Sequence, residues 1–208
     1  MAETAIPTTD ATLMERARQG DATAFGELVE RWQQPVISFI YRSLPDATEA
    51  EDLAQSVFLQ IWKTAARYQA TAKFSTFLFT IARNLTLNEI RRRARHPASS
   101  LDLPDDGGDL HSPQQIKDST ALSGEQALTR AELMNMVSEA VADLPEKQRT
   151  ALVLCQDGEV SYEEIAAILG CSVQATKSLI HRGRETLKSR LKPYLHSGEW
   201  EHDTATSR

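Results

Sequence analysis

Residues 161–192 contain two helical patterns joined by a Gly-Cys-Ser turn, and this arrangement constrains the fold more than any other part of the sequence. Ser161 followed three residues later by Glu164 is typical of a capping box that begins a helix, and Gly170 is placed to end that helix. Ser172 is a natural N-cap for the second helix. The pattern predicts a helix-turn-helix, a motif whose second helix enters the major groove of DNA.

The second helix of this motif has two distinct faces. Its inner face and that of the first helix share apolar residues at helical spacing, and the small Ala166 allows the two helices to approach closely; the residues expected inside are Ile165, Leu169, Val173, Ile180, Leu187 and Leu191. The outer side carries Ser172, Gln174, Lys177, Ser178, His181 and Arg182. A solvated basic helix at the end of a bundle is the alternative, but the elements follow one another in the order that the motif requires.

The charge of the chain is unevenly distributed. Its net charge is −6, yet residues 61–100 have eight basic residues against one acidic residue, and residues 171–192 have six against one. Phosphate contacts need local Lys and Arg, whereas acidic surface elsewhere suppresses non-specific DNA binding and suits docking on a basic protein surface. The pattern predicts two DNA contacts and a protein partner.

A stretch rich in Pro, Gly, Ser and Asp divides the chain at residues 96–122. It has no apolar periodicity, which is typical of an extended, flexible, acidic linker. We therefore expect an all-α protein of two small helical domains, residues 10–95 and 123–192, followed by a polar tail at 193–208.

The first domain begins with a long apolar helical pattern between Phe25 and Ile40, in which Pro35 should kink the helix or divide it in two. Asp46 with Glu49 three residues later predicts the start of a further helix. Leu53, Val57, Ile61 and Ala65 form the apolar stripe of that helix. The opposite face is polar and is a candidate interface; it carries Glu51, Asp52, Gln55, Ser56 and Gln60.

The second basic stretch combines aromatic and basic side chains. A short polar loop at 69–73 is flanked by Tyr68, Phe74 and Phe77, and a helix follows that carries Arg83, Asn84, Asn88 and the run Arg91, Arg92 and Arg93. Rings that stack on bases beside cations that hold the backbone are the means of binding unstacked nucleic acid. For Phe74 and Phe77 individually, a place in the core is an equally good interpretation.

Several classes of protein do not fit this sequence. No apolar run reaches the length of a membrane span, and the N-terminus lacks the parts of a signal peptide, so we expect a cytoplasmic protein without membrane insertion. Cys155 and Cys171 form no CxxC pair and suggest buried or incidental thiols. No phosphate-binding glycine loop, metal-ligand cluster or nucleophile motif occurs, so we expect no catalytic residue, metal or cofactor.

Three strings resemble the extracytoplasmic-function (ECF) sigma factors, a minimal two-domain class of bacterial RNA polymerase specificity subunits. AEDLAQSVFLQIW at 50–62 resembles the family's core-polymerase-binding helix in region 2, and KFSTFLFTIARN at 73–84 resembles its promoter-melting and −10-recognition segment. LPEKQRTALVL at 144–154, with the helix-turn-helix after it, resembles region 4, which binds the −35 element. The order and spacing of the three strings make the resemblance specific.

The resemblance implies roles for individual residues. The clamp helices of the largest polymerase subunit would receive Asp52, Gln55, Ser56 and Leu59, and region 4 would meet the polymerase flap. The loop from Gln69 to Lys73 would hold a flipped −10 base, and further −10 contacts would come from Tyr68, Phe74, Phe77, Arg83, Asn84, Asn88, Arg91 and Arg92. The −35 major groove would receive Ser172, Gln174, Lys177, Ser178, His181 and Arg182. The resemblance also implies an anti-sigma factor as a partner.

The chain departs from the family pattern at four positions: Gln69 for a basic residue, Phe77 for Trp, Thr176 for Val and Leu179 for Arg. Phe77 retains a ring. Loss of an expected Arg should weaken a DNA contact by about 1–3 kcal/mol if that position touches DNA, so the −35 preference is expected to be unusual.

Two rival classes remain as alternatives. A free-standing helix-turn-helix regulator would bind operator DNA as a symmetric dimer without polymerase, which requires a dimer interface and a palindromic site. The sequence suggests no zipper, and the first domain would have no role. An enzyme is the third class, and no catalytic motif supports it.

Overall fold

The computed structural model describes residues 9–68, 72–95, 124–156 and 158–197, and within these ranges it contains helices and no strand. The helices are α1 (Asp10–Arg18), α2 (Ala22–Ser43), α3 (Ala47–Thr64), a short 3-10 helix (Ala65–Arg67), α4 (Phe74–Arg95), α5 (Gly124–Ala142), α6 (Glu146–Gln156), α7 (Tyr162–Leu169) and α8 (Val173–Ser197).

Helices α1 to α4 form the first module around an apolar core. The side chains of Leu28, Val36, Val57, Ile61 and Leu78 are fully buried. Aromatic rings fill the space between α2 and α4 in edge-on contacts, at 5.9 Å between the ring centroids of Trp32 and Phe79 and 5.6 Å between those of Phe39 and Phe79. Such contacts stabilise a core beyond the apolar area that they bury.

Capping side chains define where α2 and α3 begin. The carboxylate of Asp21 accepts from the N–H groups of Thr23 and Ala24, and that of Asp46 accepts from the N–H of Glu49. These bonds satisfy donors that a helix start leaves free. The helix predicted to begin after Asp46 is confirmed.

Pro35 lies inside α2, which continues through it from Ala22 to Ser43. Of the two predicted effects of Pro35, a kink or a division, the division of the helix is therefore wrong. Proline removes one helical hydrogen bond, but the buried face of Leu28, Val36, Phe39 and Ile40 extends on both sides of it. Tertiary packing of that face outweighs the local cost of the proline.

Helices α5 to α8 form the second module. Ala151, Val153, Ile165, Leu169 and Ile180 are buried at its centre. The backbone of α8 continues to Ser197 and so occupies part of the tail that the sequence led us to expect at 193–208. The predicted linker at 96–122 lies outside the described residues.

The two modules pack against each other. Helix α4 contacts α7, and α2 contacts both α5 and α6. The buried residues of both modules belong to one connected core cluster. The described part of the chain is thus all-α, as predicted, and its two helical modules touch through both α2 and α4.

Candidate nucleic-acid interfaces

A closely packed corner joins α7 to α8. Ser161 and Glu164 form the predicted capping box: the Glu164 N–H donates to Ser161 Oγ at 3.3 Å, and the Ser161 N–H donates to Glu164 Oε2 at 3.1 Å. Gly170 has φ +61°, a left-handed conformation that ends α7 without a Cβ penalty. Ser172 Oγ then accepts from the N–H of Ala175 at 3.2 Å. The helix-turn-helix geometry is therefore built as predicted.

The first turns of α8 carry a polar outward side, which we term the α8 face. Its members are exposed to solvent, except that Ser178 is half-buried and donates its hydroxyl hydrogen to the Gln174 carbonyl. Two of them, Lys177 and Arg182, are cationic. The α8 face comprises Ser172, Gln174, Lys177, Ser178, His181 and Arg182. An exposed, basic helix start is the part of a helix-turn-helix that meets base edges.

Thr176 and Leu179, two departures from the family pattern, lie away from this face. Thr176 is 0% exposed, and its hydroxyl contacts the Ser172 carbonyl oxygen at 3.2 Å and Cys171 Sγ at 3.4 Å. Leu179 is half-buried against the core. Because the Thr176 side chain is buried and its hydroxyl is hydrogen-bonded, it cannot touch DNA in this conformation. The replacement of the family's valine by Thr176 therefore affects packing.

Tyr162 is a candidate site residue that the sequence reasoning missed. Its ring is partly exposed, and Lys177 Nζ lies 5.7 Å from the ring centroid, within the range of a cation–π interaction. Cys155 Sγ lies 3.9 Å from the Tyr162 hydroxyl and 3.8 Å from Arg184 Nη2. The available signal was an aromatic residue at the first position of α7. The Tyr162 ring therefore lies beside a cation of the α8 face.

Helix α4 carries the second candidate surface, which we term the α4 face. Asn84, Asn88 and Arg91 lie at i, i+4 and i+7 spacing and are exposed. Arg83 is half-buried beside them, and Lys73 immediately precedes the helix. The α4 face comprises Lys73, Arg83, Asn84, Asn88, Arg91 and Arg92. Its amides and cations match the chemistry of base edges and phosphates.

The arginine run at the end of α4 is divided by its contacts. Arg92 and Arg93 both donate to the buried carboxylate of Glu89, and Arg93 also donates to Asp46 at 2.8 Å and Glu49 at 3.0 Å. The hydrogen bond from Arg92, followed by that from Arg93, lowers the pKa of Glu89. Burial opposes the charge of Arg93, but its three carboxylate partners raise its pKa. Arg93 therefore anchors α4 to the start of α3, whereas Arg91 remains exposed.

The predicted base-binding rings occupy different environments. Phe74 is buried and lies edge-on to Trp32, which favours its interpretation as a core residue. Phe77 is half-buried, with its ring centroid 5.2 Å from that of Tyr68. Burial raises the pKa of Tyr68. Gln69 lies outside the described residues. Because Phe74 belongs to the core, Tyr68 and Phe77 are the two predicted rings that remain candidates for base binding.

Helix α3 presents a third surface, which we term the α3 face. Asp52, Gln55, Ser56 and Leu59 lie at i, i+3, i+4 and i+7 spacing, and all four are exposed. Leu59 is 53% exposed. A single exposed leucine is ordinary on a protein surface, so the α3 face is a candidate because its four members share one exposed side of the helix.

Ion pairs between the modules involve two residues of the α4 face. Lys73 Nζ donates to Glu164 Oε2 at 3.1 Å, and Ser75 Oγ donates to the other oxygen of that carboxylate. Arg83 Nη2 lies 2.7 Å from Glu146 Oε1. Burial favours the neutral form of Glu164, but bonds from Ser75, the Ser161 N–H and Lys73 keep its pKa below the usual value. The second module thus engages part of the α4 face directly.

Within the described ranges, no group of three or more His, Cys, Asp and Glu residues could hold a metal ion. None of the helices in the described part of the chain is long and apolar enough to cross a membrane.

Comparison with family models gives two matches that follow the two modules. Residues 28–96 match the model of sigma-70 region 2, and residues 134–187 match that of sigma-70 region 4. The first match covers α3, α4 and most of α2. The second covers α6, α7, part of α5 and the α8 face.

Known proteins resemble the chain over most of its length. It is 34% identical to the RNA polymerase sigma-H factor of Pseudomonas aeruginosa, over 89% of this chain and 95% of that protein. It is 35% identical to the ECF RNA polymerase sigma factor SigW of Bacillus subtilis, over 86% and 95% of the two chains. Identity to the ECF RNA polymerase sigma-E factor of Escherichia coli is 32%, over 90% and 96%.

Solved structures share the fold. CnrH in complex with the cytosolic domain of CnrY superposes with a TM-score of 0.64 at 24% identity, covering 89% of this chain and 99% of that one. The sigma factor RpoE of Bartonella quintana, in complex with the anti-sigma factor NepR, superposes with a TM-score of 0.58 at 25% identity, over 81% and 96%.

Proposed function

The chain belongs to the ECF class of RNA polymerase sigma factors, and from this premise we propose how its three exposed faces divide the work of promoter recognition. A sigma factor of this class binds core RNA polymerase and directs promoter recognition, DNA melting and transcription initiation. One observation supports the assignment of residues. Two polar faces that carry cations lie on separate modules, and a third face, on α3, carries an acidic residue and no cation.

We assign residues 10–95 to sigma region 2 and the module that begins with α5 to sigma region 4. The ends of α4 at Arg95 and of α8 at Ser197 support these limits. Residues 96–122 serve as the acidic linker in this proposal. In this proposal region 4 ends near the end of α8 and not at residue 192, so the tail is correspondingly shorter.

The α3 face is the proposed contact with core polymerase. It carries Asp52, Gln55, Ser56 and Leu59 at helical spacing, so a partner helix can touch all four at once. Burial of Leu59 supplies apolar contact, and Asp52 offers a carboxylate to a basic surface. The proposed receptor is the clamp helices of the largest subunit, while region 4 meets the flap.

The α4 face and the nearby rings are the proposed −10 contact. Asn84, Asn88 and Arg91 are free to meet DNA, and Tyr68 with Phe77 offers ring faces to an unpaired base. Gln69 remains part of the proposed base pocket on the strength of the resemblance. Phe74 is left out because its ring already packs on Trp32. Arg92 is also part of the proposed −10 contact, and its guanidinium donates to Glu89 as well.

The α8 face is the proposed −35 contact. Its residues lie in the first turns of α8, where the helix dipole and free N–H groups also favour phosphate. Arg182 and Lys177 provide charge, whereas Gln174 and His181 provide donors and acceptors for base edges. Ser172 positions the helix start through its cap.

The proposed mechanism contains no chemical step performed by this chain. The sigma factor positions two promoter elements, and capture of unpaired bases offsets the cost of opening the duplex. Phosphodiester synthesis belongs to the core polymerase, so we propose a cytoplasmic initiation factor rather than an enzyme. The likeness to RpoE bound to NepR also supports an anti-sigma factor as a partner of this chain.

The decisive experiment is transcription from a library of randomised promoters by purified core RNA polymerase, with and without this protein. The expected result is a set of protein-dependent transcripts that share two spaced upstream motifs. If the protein binds DNA but core polymerase gains no new start site, the free-standing regulator replaces this proposal. An Asp52→Ala/Gln55→Ala variant in the same assay provides the control for dependence on core binding.

A further inference from the structure

The ring of Tyr162 lies where three helices of the second module meet. Tyr162 is the first residue of α7, and Lys177 of α8 places its Nζ over the ring, 5.7 Å from the centroid. At the other end of the ring, the thiol of Cys155 in α6 donates to the Tyr162 hydroxyl oxygen at 3.9 Å. Arg184 Nη2 in turn donates to Cys155 Sγ at 3.8 Å. The ring is thus held at its hydroxyl and carries a lysine on its face.

The Tyr162 ring is the contact that the structure gives to the Lys177 ammonium, and no carboxylate within the described ranges pairs with that cation. A cation within about 6 Å of an aromatic centroid is attracted by the ring quadrupole. Lysine has a flexible stem of about four carbons. A lysine that is already held near one position therefore loses less rotamer freedom when it binds a second partner.

The contact with the ring leaves Lys177 able to meet base edges. Lys177 is exposed, and an ammonium has several N–H donors, so a ring on one side leaves donors for other acceptors. In the major groove, lysine donates to O6 and N7 of guanine. Leu179, where the family pattern has arginine, is half-buried and adds no cation to the α8 face. Lys177 and Arg182 therefore supply the charge of that face, and the position of each matters more.

We propose that Tyr162 is a positioning residue for −35 recognition, whose ring holds the Lys177 ammonium in place before DNA binds. Cys155 and Arg184 hold the hydroxyl end of the ring. The inference rests on the proposed function, which assigns the α8 face to the −35 element. Tyr162 acts through Lys177 and not through a DNA contact of its own, so loss of the ring matters only while Lys177 is present.

A double-mutant cycle separates this role from a direct contact. Holoenzyme made from the full-length protein and core polymerase is bound to two promoters that differ only in an intact or a scrambled −35 element, and the ratio of the two affinities is measured. Tyr162→Leu keeps apolar bulk but removes the ring, and we expect it to lower this ratio about two- to fivefold. In the Lys177→Ala background, the same change should have no measurable effect.

Two further variants serve as controls. Tyr41→Leu makes the same substitution at a half-buried tyrosine of α2 and should leave the affinity ratio unchanged. Tyr162→Phe keeps the ring face and loses only the contact with Cys155, so it should lower the ratio by less than Tyr162→Leu does. The thermal midpoint of each variant shows whether a loss of affinity reflects a loss of folded protein.

Nuclear magnetic resonance tests the contact in the wild-type protein without DNA or polymerase. Protons that lie over an aromatic face resonate upfield, so the ε-methylene signal of Lys177 in lysine-labelled protein should lie upfield of the position that exposed lysines share. Lys177→Arg removes the signal and so assigns it. Tyr162→Leu should return the Lys177 signal to the ordinary position, whereas Tyr162→Phe should keep most of the upfield shift.

Two results would overturn the proposal. An ordinary Lys177 signal in the wild type means that the ring does not hold the ammonium. Equal effects of Tyr162→Leu with and without the Lys177 side chain mean that Tyr162 touches DNA itself or acts only on stability. Failure of the proposed function looks different, because the wild-type holoenzyme would then show no preference for the intact −35 element, whatever the position of the Lys177 signal.

Discussion

Arg93 near the end of α4 donates a hydrogen bond of 2.8 Å to Asp46, the residue that caps α3. The same guanidinium binds Glu49 and Glu89, so one side chain connects the two helices that carry the proposed polymerase-binding and −10 faces. The relative position of these faces thus depends on a partly buried ion cluster as well as on the apolar core.

Replacement of Arg93 should destabilise the first module. Arg93→Gln leaves Glu89, Asp46 and Glu49 with fewer partners, and we expect a loss of about 1–3 kcal/mol in the free energy of unfolding. Arg91→Gln is the matched control, because Arg91 is exposed, and it should change stability by less than about 0.5 kcal/mol. Urea unfolding followed by circular dichroism measures both. Equal effects at the two positions would contradict the anchoring role.

The contribution of this cluster should disappear in acid. The pKa values of Glu89 and Asp46 are lowered in the folded state. The unfolded chain, whose carboxyl groups titrate near about 4, therefore binds more protons than the folded chain below about pH 5, and stability falls as pH falls through the folded values. We expect the stability difference between wild type and Arg93→Gln to be constant near neutral pH and to shrink below about pH 4. A difference that grows in acid would refute the assignment.

Removal of the α3 face should prevent holoenzyme formation without unfolding the protein. Asp52→Ala/Gln55→Ala should weaken binding to core RNA polymerase by at least about tenfold, since central contact residues commonly cost more than 1 kcal/mol each. Both side chains are exposed, so the thermal midpoint should stay close to that of wild type. The matched control is Glu30→Ala/Gln33→Ala, which removes an exposed acid and an exposed amide at the same spacing from α2. Retained core binding by the double variant would contradict the assignment of the α3 face to polymerase binding.

Arg182→Ala should reduce recognition of the −35 element. A base or phosphate contact from this position is worth about 1–3 kcal/mol, so transcription from a promoter that depends on its −35 sequence should drop about tenfold. A promoter with a scrambled −35 element should respond little. Lys147→Ala on α6 makes the same change in net charge outside the α8 face. Equal losses from both variants would indicate a general charge effect instead.

Thr176→Val should leave the −35 preference unchanged. The Thr176 side chain is fully buried, and its backbone N–H keeps its bond to the Ser172 carbonyl in either variant. Loss of the hydroxyl removes one satisfied polar group, for which we expect a stability change within about 1 kcal/mol in either direction. Selection from a randomised −35 library tests the prediction. A different selected sequence would mean that position 176 reaches DNA after all.

Local chemistry made several elements predictable from the sequence. Ser161, Glu164 and Gly170 begin and end α7 through neighbours within a few residues, so their spacing carries the information. The exposed side of α3 followed equally from helical periodicity, because the apolar stripe assigns the opposite residues to solvent. The same reasoning separated the inner and outer sides of α8.

Partners distant in the sequence were not predictable. Nothing near Glu164 indicates that Lys73 and Ser75, about ninety residues earlier, bind its carboxylate. The run Arg91 to Arg93 has uniform chemistry, and only the turn of α4 relative to α3 makes Arg93 an internal anchor. Phe74 and Phe77 share a residue type and a helix, but packing on Trp32 distinguishes the first from the second.

With one carboxylate, Glu164 bonds the start of its own helix and Ser75 in α4 of the other module. A residue substituted for Glu164 must therefore both cap the start of α7 and bind Lys73 and Ser75, and few side chains can do both. Aspartate is one methylene shorter than glutamate, and glutamine lacks the negative charge that attracts Lys73. We expect this position to tolerate less variation than the exposed Glu163 beside it, and the mutational record of a saturation library would show that contrast directly.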